Sequence, residues 1–175
     1  MSNYVTAIGL DVHARSIKAC ALNPMTGEVE RASFGYDPAS VAEWALGFES
    51  PKAVYESGVT GFHLCRALRA LGLDCAVGAV SKMQRPAADR GRKTDRRDAE
   101  FLARLLATRN VVEVWVPDER TEAARDLSRA LADARGDLQR AKQRMSKFLL
   151  RHGHVFDEPT PTGGRRGNWT RAYWR

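Results

Sequence analysis

Cysteine is scarce here and follows no pattern: Cys20, Cys65 and Cys75 are odd in number and form no CxxC spacing. That argues against a disulfide framework and gives no sign of a zinc site, so three small buried hydrophobes in a reduced, cytosolic protein are expected. Long apolar runs are missing too. Nothing approaches the roughly 20 residues that a membrane span requires. The opening MSNYVTAIG has neither a basic leader nor a cleavage region, so no export signal is expected. No internal repeat is visible. Charge excess is absent from the first half, where residues 1–90 carry nine Lys and Arg against nine Asp and Glu.

The excess lies in the second half. Residues 91–175 hold nineteen basic against twelve acidic side chains, which accounts for the whole formal net charge of +7. Such a balance points to a polyanionic partner rather than to a fold, and places an RNA or DNA contact surface mostly beyond residue 90. At 175 residues and 43% hydrophobic content, one domain plus an appendage is expected.

Period-2 patterning predicts strands over Tyr4–Val12, Ser16–Leu22 and Glu28–Tyr36, joined by short turns into an antiparallel meander. In the first, Ile8, Leu10 and Val12 share one face and Ala7, Gly9 and Asp11 the other, where small residues leave room for an ion or a phosphate. Asp37-Pro38 then starts a helix over Ala39–Phe48. A buried strand over Ala53–Glu56, a helix over Thr60–Leu71 stopped by Gly72, and a strand over Leu73–Val80 follow. Asp95–Thr108 reads as a helix, and Val111–Val116 as a short strand or extended connection. The sum is an α/β fold, a mixed five-stranded sheet with flanking helices.

From Asp118 to Arg151 the period changes. Ala124, Leu127, Leu131, Ala134, Leu138, Ala141, Met145 and Phe148 step by three and four, a heptad seam that calls for another long helix and suggests a homo-oligomer. Alanine at several core positions and Gly136 would make an isolated dimer weak. Three regions are therefore expected: a catalytic domain over 1–116, a long basic coiled-coil helix over 117–152, and a linker opening a further segment over 153–175.

Four acids stand out. Asp11 interrupts an apolar strand, costly unless paired or metal-bound; Glu56 closes another, and Asp95 and Asp98 share a face at a helix start. Each has an ordinary explanation: Asp95 suits a helix cap, Asp98 a first turn, Glu56 a rim. Jointly they read as a carboxylate-lined catalytic and metal site, for which Mg²⁺ (or Mn²⁺) is the natural ion and phosphodiester chemistry the natural use. His13 and His63 could assist as acid or base. Lys82, Arg85, Arg90, Arg92 and Lys93 make a basic loop, continued by Arg96 and Arg97; Arg135, Arg140, Arg144 and Lys147 lie off the heptad seam. All are candidate nucleic-acid contacts, with a solvated surface as the plain alternative.

The order IGLDVH, YESG-TG, KTDRRDAEFLARLL and an Arg-rich heptad helix resembles the DEDD-type insertion-sequence transposases of the IS-one-ten class, which begin with a RuvC-like domain and are described as bridge-RNA-guided recombinases. The resemblance implies an RNase H-like fold, Mg²⁺ dependence, DNA and structured guide RNA as partners, a cytoplasmic location, and Asp11, Glu56, Asp95 and Asp98 on the four family acids. It also implies a nucleophilic serine in a second domain. Beyond residue 100 only Ser128 and Ser146 occur, neither in a matching context, so a chain cut before that domain, inactive in covalent strand transfer by itself, is expected. Two other readings compete. A non-catalytic nucleic-acid-binding or dimerising remnant would use the basic helix alone. A sugar-kinase or actin-like ATPase half would need glycine just after the first-strand aspartate, where Val12-His13-Ala14 stands instead.

Overall fold

A computed structural model describes residues 4–58, 60–79, 95–155, 158–159 and 165–166, with the side chains of 95–97, 158–159 and 165–166 excepted. The basic loop containing Lys82, Arg85, Arg90, Arg92 and Lys93 lies outside the described residues, as do the side chains of Arg96 and Arg97. Two compact units are present, Met1–Pro117 and Asp118–Arg175.

The first unit opens with the expected meander. Strands β1 (Thr6–Val12), β2 (Ser16–Leu22) and β3 (Val29–Gly35) pair antiparallel. Helix α1 (Pro38–Leu46) starts where Asp37 caps it: the carboxylate accepts from the amides of Ala39 at 3.1 Å and Ser40 at 3.3 Å, while Pro38 occupies the first turn, where its missing N–H costs nothing. Strand β4 (Pro51–Glu56) lies parallel to β1, helix α2 (His63–Ala70) follows, and β5 (Asp74–Gly78) lies parallel to β4. Gly72, at φ +93°, supplies the left-handed residue that ends the helical turn and admits β5.

Helix α3 (Asp95–Ala107) precedes β6 (Glu113–Val114), which adds antiparallel to β5. The resulting order is β3-β2-β1-β4-β5-β6. The expected five-stranded mixed sheet thus gains a sixth strand, because two residues of the Val111–Val116 stretch pair with Val77 and Gly78. With its lone antiparallel meander beside parallel β1, β4 and β5, the sheet has the RNase H-like arrangement.

The sheet is covered on both faces. Ile8, Leu10, Ala53 and Tyr55 face α1 and α2, burying Val41, Ala45, Leu64 and Leu68 with them. Ala7, Val54 and Ala76 face Leu102 and Leu106 of α3, and Cys20 faces Ala99 and Ala103. Gly9 is the point of closest approach. A Cβ there would sit 2.0 Å from the Ala99 carbonyl oxygen and 2.5 Å from the Ala103 nitrogen. The space that small residues leave above β1 is therefore filled at Gly9 by helix backbone, not by an ion or a phosphate as the sequence suggested. Dispersion favours this: an empty slot beside a buried strand would forfeit its contacts.

The second unit contains helix α4 (Glu119–Arg151), 33 residues without a break at Gly136 and about 50 Å long. Asp118 caps it, accepting from the Thr121 amide at 2.7 Å. None of its residues is buried, and Leu127 (72% exposed), Leu138 and Phe148 leave the apolar seam open. Two-residue strands β7 (Glu158–Pro159) and β8 (Arg165–Arg166) pair antiparallel beyond it.

Candidate active site

Asp11 and Glu56 are brought together by strand register. Leu10 pairs with Tyr55 in the parallel β1–β4 ladder, so Asp11 and Glu56 follow as neighbours one residue further on. Alternation along each strand turns both to the α3 face, as Ala7 and Val54 are. Neighbouring strands lie about 4.8 Å apart, which puts two carboxylates at the carboxyl ends of adjacent parallel strands. Here β1 leads leftward to β2 while β4 leads rightward to β5. Ligands of open α/β sheets settle in the crevice at this kind of switch point.

Helix α3 brings its acidic start to the same end. Ala7 meets Leu102 and Leu106, whereas Gly9, two residues further along β1, meets Ala99 and Ala103. Two strand residues advance about 6.6 Å, and one helical turn about 5.4 Å. The next step along β1 is Asp11, and the next turn back along α3 carries Asp95 and Asp98. Asp98 is half-buried; the Asp95 side chain lies outside the described residues.

Asp11 is half-buried, its side chain 19% exposed, and one carboxylate oxygen lies 3.0 Å from Nε2 of the exposed His13. Glu56 is exposed, and His63 is exposed at the first position of α2. Among the described residues no group of three or more His, Cys, Asp or Glu side chains is gathered to hold a metal ion. Arg135, Arg140, Arg144 and Lys147 all stand exposed on α4, with Arg140 paired to Asp137.

One cluster escaped the sequence reading. Arg31 of β3 donates to Glu100 of α3 at 2.6 Å, and Arg104 donates to the same carboxylate at 2.7 Å. The 69-residue separation of Arg31 and Glu100 hides the pair from any local pattern. Only the lone cation Lys18 in the otherwise apolar strand SIKACAL hints at polar business on this face. Arg31 first, then Arg104, hold the Glu100 carboxyl below the usual glutamate value. A depressed folded-state pKa gives stabilisation that is complete above the unfolded value and is lost as pH falls through the folded one. The unfolding temperature is therefore expected to drop more steeply in the native chain than in Glu100→Gln between about pH 5 and pH 3. Equal slopes in the two proteins would show that the cluster does not link α3 to β3 energetically.

A family model of IS110 DEDD transposases, described as "Transposase", matches residues 8–153. The chain belongs to that family. Among curated relatives, it is 42% identical over 149 residues to the provisionally named transposase y4qE of Sinorhizobium fredii, a match covering 85% of this chain and 36% of that protein. It is 35% identical over 150 residues to the transposase for insertion sequence element IS1533 of Leptospira borgpetersenii, covering 82% of this chain and 43% of the relative. The chain thus spans about two fifths of the length of these relatives. Membership in the IS110 family sets aside the sugar-kinase or actin-like reading, and the matched stretch contains all four acids as well as the whole of α4. No helix among the described residues is long and apolar enough to cross a membrane.

Proposed function

We propose that this chain supplies the acidic half of a DNA transposase: Asp11, Glu56, Asp95 and Asp98 hold Mg²⁺ and with it a phosphodiester that undergoes strand transfer. One observation carries this reading. Asp11 and Glu56 end adjacent parallel strands on one face of the sheet, at its switch point, under the acidic start of α3. Carboxylates so placed repel one another, and a divalent cation removes the conflict. The donors are all carboxylate oxygens, the set that suits Mg²⁺, and such an ion supplies charge stabilisation to a phosphate under attack. Asp11 would bind through the oxygen not turned to His13, and His13 would orient it.

DNA and a structured RNA are the partners proposed for the basic surfaces. These comprise Lys82, Arg85, Arg90, Arg92, Lys93, Arg96 and Arg97, which precede Asp98 in the sequence, and Arg135, Arg140, Arg144 and Lys147 along α4. The open seam of α4 would join a second copy of the chain, in the cytoplasm. The division into a catalytic domain over 1–116, a basic helix over 117–152 and a leader into a serine-bearing domain from 153 belongs to the same proposal. If the acids are idle, the exposed basic helix still supports a non-catalytic nucleic-acid-binding role.

Calorimetric titration with Mn²⁺ separates the two. The native chain is expected to bind the ion and Asp11→Asn to lose about a hundredfold or more in affinity, since even an outer-sphere partner is worth 10–100-fold. Identical titrations for both proteins would mean that the acids do not form a metal site.

A further inference from the structure

Lys18 stands opposite Asp11 in the β1–β2 register, and Ser33 stands opposite Lys18 in the β2–β3 register. Glu56, Asp11, Lys18 and Ser33 therefore form one row across four strands, acidic on β4 and β1 and cationic on β2. Lys18 Nζ donates to Ser33 Oγ at 2.6 Å, a neutral partner that orients the ammonium without cancelling its charge. A cavity of about 330 Å³ opens here between β2, β3 and α3, lined by Lys18, Arg31, Ser33 and Ala99 and floored by Ala19 and Ala32. That is roughly ten times the share of volume of one liquid water, room for a phosphate group and part of its sugar. Glu100 braces Arg31 and Arg104 together, so with Asp11 opposite Lys18 the cluster sets two carboxylates against three cations.

We propose that this cavity is a phosphate seat, in which Lys18 and Arg31 bind a backbone phosphodiester of the nucleic-acid strand whose neighbouring phosphate lies at Asp11. The chemistry is that of a polyanion's repeating unit. Lysine acts as a point charge, the braced guanidinium offers fixed N–H donors, and among the described residues the apolar lining is alanine alone, with no aromatic ring on which a base could stack. The row explains the placement: cations on β2 and β3 pull the strand across the sheet, and acids on β1 and β4 receive the ion-bearing phosphate. This inference rests on the reading of Asp11 as part of the acidic site.

The test uses the 175-residue chain and fluorescently labelled 20-nucleotide single strands, DNA in one arm and RNA of the same sequence in the other, titrated at several salt concentrations. Lys18→Gln, which keeps most of the stem, is expected to weaken binding several-fold and to lower the magnitude of the salt slope by about 0.7, the value of one phosphate contact on a single strand. Lys18→Arg should restore both. A reduced slope in either arm supports the seat and names the strand that occupies it; unchanged slopes in both arms overturn it, provided the unfolding temperature of Lys18→Gln matches that of the native chain. If it does not match, Arg31→Lys, which keeps the charge but loses the fork, decides instead: several-fold weaker binding supports the seat and unaltered binding overturns it. Mn²⁺ titration of Asp11→Asn keeps the two readings apart. Retained ion binding with a reduced Lys18 slope defeats the metal site alone, and the converse defeats the seat alone.

Discussion

Replacing Gly9 with valine is expected to dislodge α3 and destabilise the first unit by about 3 kcal/mol or more. Three atoms of α3 lie within 3.0 Å of the position a Cβ would take: the Ala99 carbonyl oxygen, the Ala103 nitrogen and the Leu102 Cβ. Two are backbone, so no side chain can rotate out of the way, and the helix itself has to move. In a chain of this size the loss corresponds to a fall of roughly 10 °C in unfolding temperature. Gly35, which ends the edge strand β3 with nothing within 4 Å of a built Cβ, provides the matched control, and Gly35→Ala should unfold close to the native temperature. Thermal unfolding of the two variants side by side checks this. A Gly9→Val protein as stable as the native chain would mean that α3 does not rest on β1 and so does not carry Asp95 and Asp98 towards Asp11.

The second large effect concerns activity. In a full-length protein carrying this domain, Asp11→Ala and Asp95→Ala are each expected to reduce strand transfer by about three orders of magnitude, because the charge stabilisation that a bound ion supplies to phosphoryl transfer amounts to several kcal/mol. Nucleic-acid affinity should stay largely unchanged, since the basic side chains proposed as contacts are untouched. A gel assay of joined products, run beside a binding titration, measures both quantities on the same preparations. Transfer that survives either substitution would remove that acid from the chemistry. Binding lost in parallel with transfer would show that the substitution had damaged the fold or the proposed nucleic-acid contacts instead.

Much of this molecule is legible in the chain. Alternation in YVTAIGLDV and SIKACAL, turn residues at 23–27 and Asp37-Pro38 as a helix start give elements whose ends fall within a few residues of those observed. The heptad step gives α4 almost residue for residue. These signals are local: a side chain's preference for one face is written into its immediate neighbours. The sixth strand was only half visible, because two residues carry too little pattern to separate a strand from an extended connection.

The candidate site divides along the same line. That Asp11 and Asp98 are unusual is plain from the residues beside them, since a carboxylate in an apolar strand and a second acid one helical turn into α3 are features of short windows. What joins them is not. The Leu10–Tyr55 register that sets Glu56 beside Asp11, the contact at Gly9 that lays α3 along β1, and the Arg31–Glu100 bridge across 69 residues depend on which strands pair and which helix covers them. The sequence by itself determined the elements, their apolar faces and the residues with chemistry to offer, through periodicity and the cost of burying charge. The tertiary structure alone decided which of those residues are neighbours, and that a glycine seemingly making room for a ligand makes room for a helix, because contacts between distant segments depend on the packing of the whole sheet.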